Sequence, residues 1–156
     1  MPRRLPLLAV ILGLAGIIPF IVCGLGSVSA SFVGAQIAVQ LLLAYGAGVL
    51  SFLGGIHWGT ALATDESGRQ RLSLGVLPGL LGWLTLAVSY YTGRATVGIA
   101  LLIVLFIAAA AAEWKGHLLG GIPSGYIVLR IAVTVAVVAI LTTVMVLRIV
   151  GGHLLL

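Results

Sequence analysis

Residues 45–62 read YGAGVLSFLGGIHWGTAL, a stretch too apolar to leave in water that still carries one titratable side chain, His57. It lies in an interval between Arg4 and Asp65 that holds no Asp, Glu, Lys or Arg. A hydrocarbon core of about 30 Å is crossed by roughly 20 apolar helical residues, so this interval reads as membrane-spanning helix. It also holds an ionisable group at membrane depth.

Outward from that stretch the pattern repeats. The chain has 156 residues, 62% of them hydrophobic and 7% charged, and a mean hydropathy of +1.30. Soluble domains carry about 25% charged residues, so this composition cannot cover a water-facing surface. Five segments qualify or nearly qualify as spans: 5–25, 32–63, 72–91, 95–112 and 125–150. The expected fold is all-α, a single bundle of five transmembrane helices in one domain. The second segment is long enough that it must tilt, break or project from the bilayer, and Gln36 and Gln40 favour projection of its start.

Eight Lys and Arg against three Asp and Glu give a net charge of +5. The basic residues stand singly at segment ends, which fits headgroup anchoring and argues against nucleic acid as a partner. With five spans, Arg3, Arg4, Arg69, Arg71, Lys115 and Arg130 fall towards one side, and Arg94 and Arg148 towards the other. The positive-inside rule then puts the N-terminus in the cytoplasm and the C-terminus in the periplasm of a bacterial inner membrane, or the equivalent in a mitochondrial inner membrane. A cleaved signal peptide would use Arg3, Arg4 and a site at Val28-Ser29-Ala30. The apolar core before that site is longer than the usual signal length of about 7–15 residues, so a retained span is expected. Cys23 is the sole cysteine, which excludes an intrachain disulfide.

In lipid, apolar surface does not drive helices together, and close packing of small residues has to help. Ala47, Ser51, Gly55, Gly59 and Ala63 form a ladder at four-residue spacing and are the expected packing stripe; Gly75, Gly79 and Gly82 offer a counterpart. Pro19 and Pro78 each remove a helical donor and are expected to kink their spans.

His57 points away from that ladder, towards the side where Glu113 and Arg130 enter the membrane. Intramembrane ionisable residues mark functional sites by default, although a neutral imidazole bonded to a neighbouring helix is the plainer alternative. The expectation is a polar pocket of His57, Glu113, Tyr126 and Arg130 open to the cytoplasm. The plainer reading of Glu113 is loop solvation, shared with Lys115. Trp58 and Trp114 sit where interfacial aromatic belts belong, whereas Trp83 is mid-span and fills the core or lines a pocket. Three scattered histidines, including His117 and His153, form no metal spacing, and adjacent Asp65 and Glu66 do not face each other as an acid–base pair. No cofactor motif or catalytic set is present.

The blocks YGAGVLSFLGGIHWGTAL, GVLPGLLGWLTL and YIVLR, with Thr134 four residues on, resemble the transmembrane protein 69 family. That family carries a domain of unknown function and occurs in bacterial and mitochondrial proteins. The resemblance runs from Gly13 to about Arg148, and FLGGIHWG is its most specific part. It implies a small five-span inner-membrane protein with no established activity, and it singles out Gly54, Gly55, His57, Trp58, Pro78, Trp83, Tyr126 and Arg130 as matching positions. The expected role is a non-enzymatic binding or accessory component, in a membrane complex or homo-oligomer, or holding a lipid or small hydrophobic ligand. A small transporter or hydrophobic-ligand receptor is the alternative. A membrane enzyme with His57 as base is a third.

Overall fold

In the computed structural model the described residues are 6–28, 32–63, 69–118 and 124–154. Their helices are α1 (Leu7–Ala15), α2 (Ile18–Gly26), α3 (Phe32–Ala63), α4 (Arg69–Thr92), α5 (Ala95–Leu118) and α6 (Ser124–Leu154). The fold is an all-α polytopic membrane bundle. α1 and α2 are two halves of one span, Leu7–Gly26, and by length and composition α3, α5 and α6 also suit a membrane. α4 is the least apolar rod, opening on Arg69-Gln70-Arg71 and closing on Ser89-Tyr90-Tyr91-Thr92; it packs along α3 and against α5 as the fifth member of the bundle. The N-terminal arginines, the residues around Ser29-Ala30 and the Asp65-Glu66 pair lie outside the described residues, as do the side chains of Ala63 and His153.

The first span breaks where the sequence removes a donor. Pro19 has no N–H to give to the carbonyl four residues back, and it stands in the first turn of α2. The chain between the halves tightens, with the Ile17 amide bonding the Leu14 carbonyl at 3.0 Å. α2 packs on α3 and α6, while α1 packs chiefly on α6. α4 runs on as helix through Pro78. At its end Gly93 takes φ +64, a left-handed turn that suits glycine, and α5 returns antiparallel.

α5 extends beyond the expected end at 112, carrying Glu113, Lys115 and His117 as helix instead of loop. Hydropathy marks membrane depth, not helicity: residues 113–118 contain no proline, and their one glycine, Gly116, costs only about 1 kcal/mol in a helix interior. Leu43 packs on Gly98 and Leu102 on Gly46, so α3 and α5 run parallel. The fully buried Phe20 ties the break in the first span to the core, edge-on to Tyr45 at 5.0 Å and to Phe106 at 5.9 Å between ring centroids.

The packing stripe of α3 differs from the expected four-residue ladder. Gly82 lies against Ala47, Gly79 against Ser51, and Gly75 against Gly54 and the Trp58 indole. Gly55 and Gly59 have open space around them and are exposed. The contacting residues 47, 51, 54 and 58 alternate steps of four and three, the heptad spacing of a left-handed crossing. A strict step of four drifts off that seam, which is why Gly55 and Gly59 leave it. At Gly54 an added Cβ would run into the Gly75 carbonyl, so the two backbones touch there and only glycine fits.

Candidate functional site

Glu113 and Arg130 meet inside the bundle. The Arg130 Nε donates to Glu113 Oε2 at 2.8 Å, with side chains 6% and 3% exposed. Two features of the sequence bring them together: the continuation of α5 beyond residue 112, and the antiparallel return of α6. Arg130 Nη1 donates to Thr134 Oγ1 at 3.0 Å, one turn further along α6. A lysine or arginine near a helix end commonly snorkels back to the surface. Arg130 does the reverse and reaches deeper. Tyr126 on the preceding turn donates to the same Glu113 oxygen at 3.5 Å, a long bond. Thr134 completes the set; its i, i+4 spacing from Arg130 was readable. Arg130 Nη2 is buried with no hydrogen-bond partner among the described residues.

His57 is half-buried on α3. It continues the Leu50–Leu53 face, which is buried. Leu43–Gly98 and Gly46–Leu102 fix a parallel register, and continuing it along both helices brings His57 level with Glu113. The other sequence candidates divide. Gly54, Trp58 and Pro78 belong to the α3–α4 seam, with Pro78 Cδ 3.6 Å from the Cβ position of Gly54. Trp83 is 64% exposed on the outside of α4, neither core nor pocket, because the seam takes up Gly75, Gly79 and Gly82 and leaves residue 83 outside it. Trp58 and Trp114 are each 44% exposed, and the Trp114 ring lies 5.9 Å from that of His117. Among the described residues no cluster of His, Cys, Asp and Glu is placed to hold a metal.

Beside the ion pair is a cavity of about 680 Å³, whose lining includes Tyr126 and Arg130 of the expected pocket but not His57 or Glu113. Ala9, Leu12, Gly13, Gly16 and Phe20 of the first span form one wall; Tyr45, Gly48, Val49, Phe52, Leu53 and Ile56 of α3 face them. Phe106 and the α6 residues Tyr126, Leu129, Arg130, Val133 and Val137 close the rest. Leu12, Gly48 and Phe52 line it and are also exposed, which puts its mouth between α1 and α3, facing lipid. The break in the first span lies in this wall, with Gly16 and Phe20 on either side of it. Tyr45 braces the break by donating its hydroxyl to the Gly16 carbonyl at 2.9 Å.

A second polar contact lies at the opposite end of the bundle. Arg148 of α6 donates to the Ser27 carbonyl just after α2 at 3.4 Å, and to Gln36 Oε1 at 3.3 Å. Arginine at a helix C-terminus satisfies carbonyls that have no helical partner, so Arg148 ties the end of the first span to α3 and α6.

Comparison with known proteins agrees with this architecture. Transmembrane protein 69 of Xenopus tropicalis is 34% identical over 133 residues, covering 83% of this chain and 50% of the relative. The chain thus spans about half the length of the curated relative it matches. No solved structure matches it. The model of a protein family of unknown function, DUF3429, matches residues 5–146, and the chain belongs to that family.

Proposed function

We propose that this protein is a non-enzymatic, multi-pass membrane protein that binds a lipophilic small molecule in the cavity between α1, α3 and α6. The observation that carries this reading is the cavity: about 680 Å³, walled mostly by apolar side chains, with Tyr126 and Arg130 at one end and the Tyr45 hydroxyl already bonded to the Gly16 carbonyl. Small-molecule sites span about 300–1,000 Å³ and combine apolar walls with a few placed polar groups. A mouth facing lipid admits a ligand that is already dissolved in the bilayer. The distribution of basic residues favours an orientation with the Glu113–Arg130 end towards the cytoplasm or matrix. A ligand-holding role also suits an accessory component of a larger membrane complex.

The test is extraction into native lipid discs followed by mass spectrometry of retained small molecules. Gly48 lines the cavity and an added Cβ there meets nothing within 4 Å, so Gly48→Leu directs its side chain into the mouth. A ligand retained by the wild type and lost by Gly48→Leu is the expected result. A wild-type protein that retains nothing beyond bulk lipid overturns the reading.

A further inference from the structure

From the hydrogen-bond inventory of the ion pair we infer the chemical class of the occupant: a neutral lipophile that presents a carbonyl oxygen to Arg130. This inference rests on the cavity reading above and narrows it.

Three features of the polar end point the same way. The guanidinium has five N–H donors in a fixed fork. Its Nε edge is used by Glu113 and Nη1 by Thr134, while Nη2 is buried and unpaired among the described residues. Leaving a charged donor unmade in a low-dielectric site is costly, and native structures rarely do so without a reason. Arg130 also borders the cavity, so an occupant's oxygen is a natural acceptor.

Charge decides what kind of oxygen. Glu113 already neutralises Arg130 at 2.8 Å. A carboxylate or phosphate would add an uncompensated charge to a site with little water to screen it. A ketone, quinone or ester oxygen supplies the acceptor and adds no charge. The rest of such a molecule is apolar, as are the opposite walls formed by Leu12, Phe52 and Val133. Because Nη2 is covered, the oxygen reaches it when a neighbour gives way. Tyr126 is the group held most loosely, by its 3.5 Å bond to Glu113.

The experiment compares probes that share one tail and differ in head. The purified full chain in neutral detergent is titrated with hexadecane, methyl palmitate and palmitate, and with a short-chain isoprenoid quinone, and bound species are counted by native mass spectrometry. Methyl palmitate is expected to bind about tenfold tighter than hexadecane, the worth of one charge-assisted hydrogen bond, and tighter than palmitate. Arg130→Lys, which keeps the charge and loses the fork, is expected to bring ester and alkane within about twofold. The wild-type ranking stands by itself if that variant fails to fold. A quinone that outbinds the ester supports the same class and names its source. Equal binding of ester and alkane, or tightest binding of palmitate, overturns the inference and leaves the cavity reading in place. Binding of none of the four overturns both.

Discussion

The Glu113–Arg130 pair makes a prediction whose sign is more informative than its size. At 2.8 Å, and with both side chains almost fully covered, the Coulomb attraction at an effective dielectric of about 20 is roughly 6 kcal/mol. Desolvation opposes most of it. Removing one member of such a pair costs about 3–5 kcal/mol, whereas replacing both with apolar groups is commonly neutral or stabilising. The two single changes are not equivalent. A stranded carboxylate can neutralise itself by binding a proton, and a stranded guanidinium cannot. Glu113→Leu is therefore expected to cost about 3–5 kcal/mol and Arg130→Met about 1–3 kcal/mol. The double variant should fall near the wild type. Equilibrium unfolding in mixed micelles with an increasing fraction of denaturing detergent measures all four corners. Additivity within about 0.5 kcal/mol would refute the coupling. So would Arg130→Met proving the more damaging single change, since that requires Glu113 to be the member that cannot be left alone.

Other substitutions test the packing that positions this pair. Gly54→Ala pushes a methyl into the Gly75 carbonyl and is expected to destabilise by about 1–3 kcal/mol, whereas Gly55→Ala, one residue away in open space, should stay within about 0.5 kcal/mol; thermal stability of the two variants in detergent distinguishes the heptad seam from the four-residue ladder. Tyr45→Phe removes the bond to the Gly16 carbonyl. Its cost should be about 0.6 kcal/mol and no more than about 1.7 kcal/mol, the average and the maximum measured for hydrogen bonds between membrane helices, with faster hydrogen exchange confined to the amides around the break.

The helices were legible as apolar runs, and the first span, α3, α5 and α6 are long and apolar enough to cross a membrane. The α5 boundary was not legible, because helix continues after depth ends, and the six residues from Glu113 to Leu118 change the reading of Glu113 from solvated loop to buried anion. The Glu113–Arg130 association could be anticipated from topology alone, since both enter from the same side on consecutive helices. Thr134 and the depth that Arg130 reaches needed the rotamer. The cavity depends on how far α1 leans from α3, and no residue pattern encodes that angle, although Pro19 marked where the lean begins. The Arg148–Ser27 contact joins residues 121 positions apart and follows only once the first and last spans are known to be neighbours.

The FLGGIHWG block joins these two levels. Gly54 and Trp58 belong to the seam with α4, and His57, between them in sequence and on another face, continues the buried Leu50–Leu53 side. A backbone-on-backbone contact such as Gly54 on Gly75 has no flexible side chain to absorb a rotation of α3. It therefore fixes the angle about the helix axis at which His57 is presented, at the level of Glu113. A helix that packed through Gly55 and Gly59 would be turned by about 100° for each residue of offset, and His57 would leave the buried face. The glycines of the block are thus not interchangeable small residues. One sets the rotation of α3, and the rotation decides whether the membrane-embedded histidine faces the ion pair's side of the bundle or the lipid.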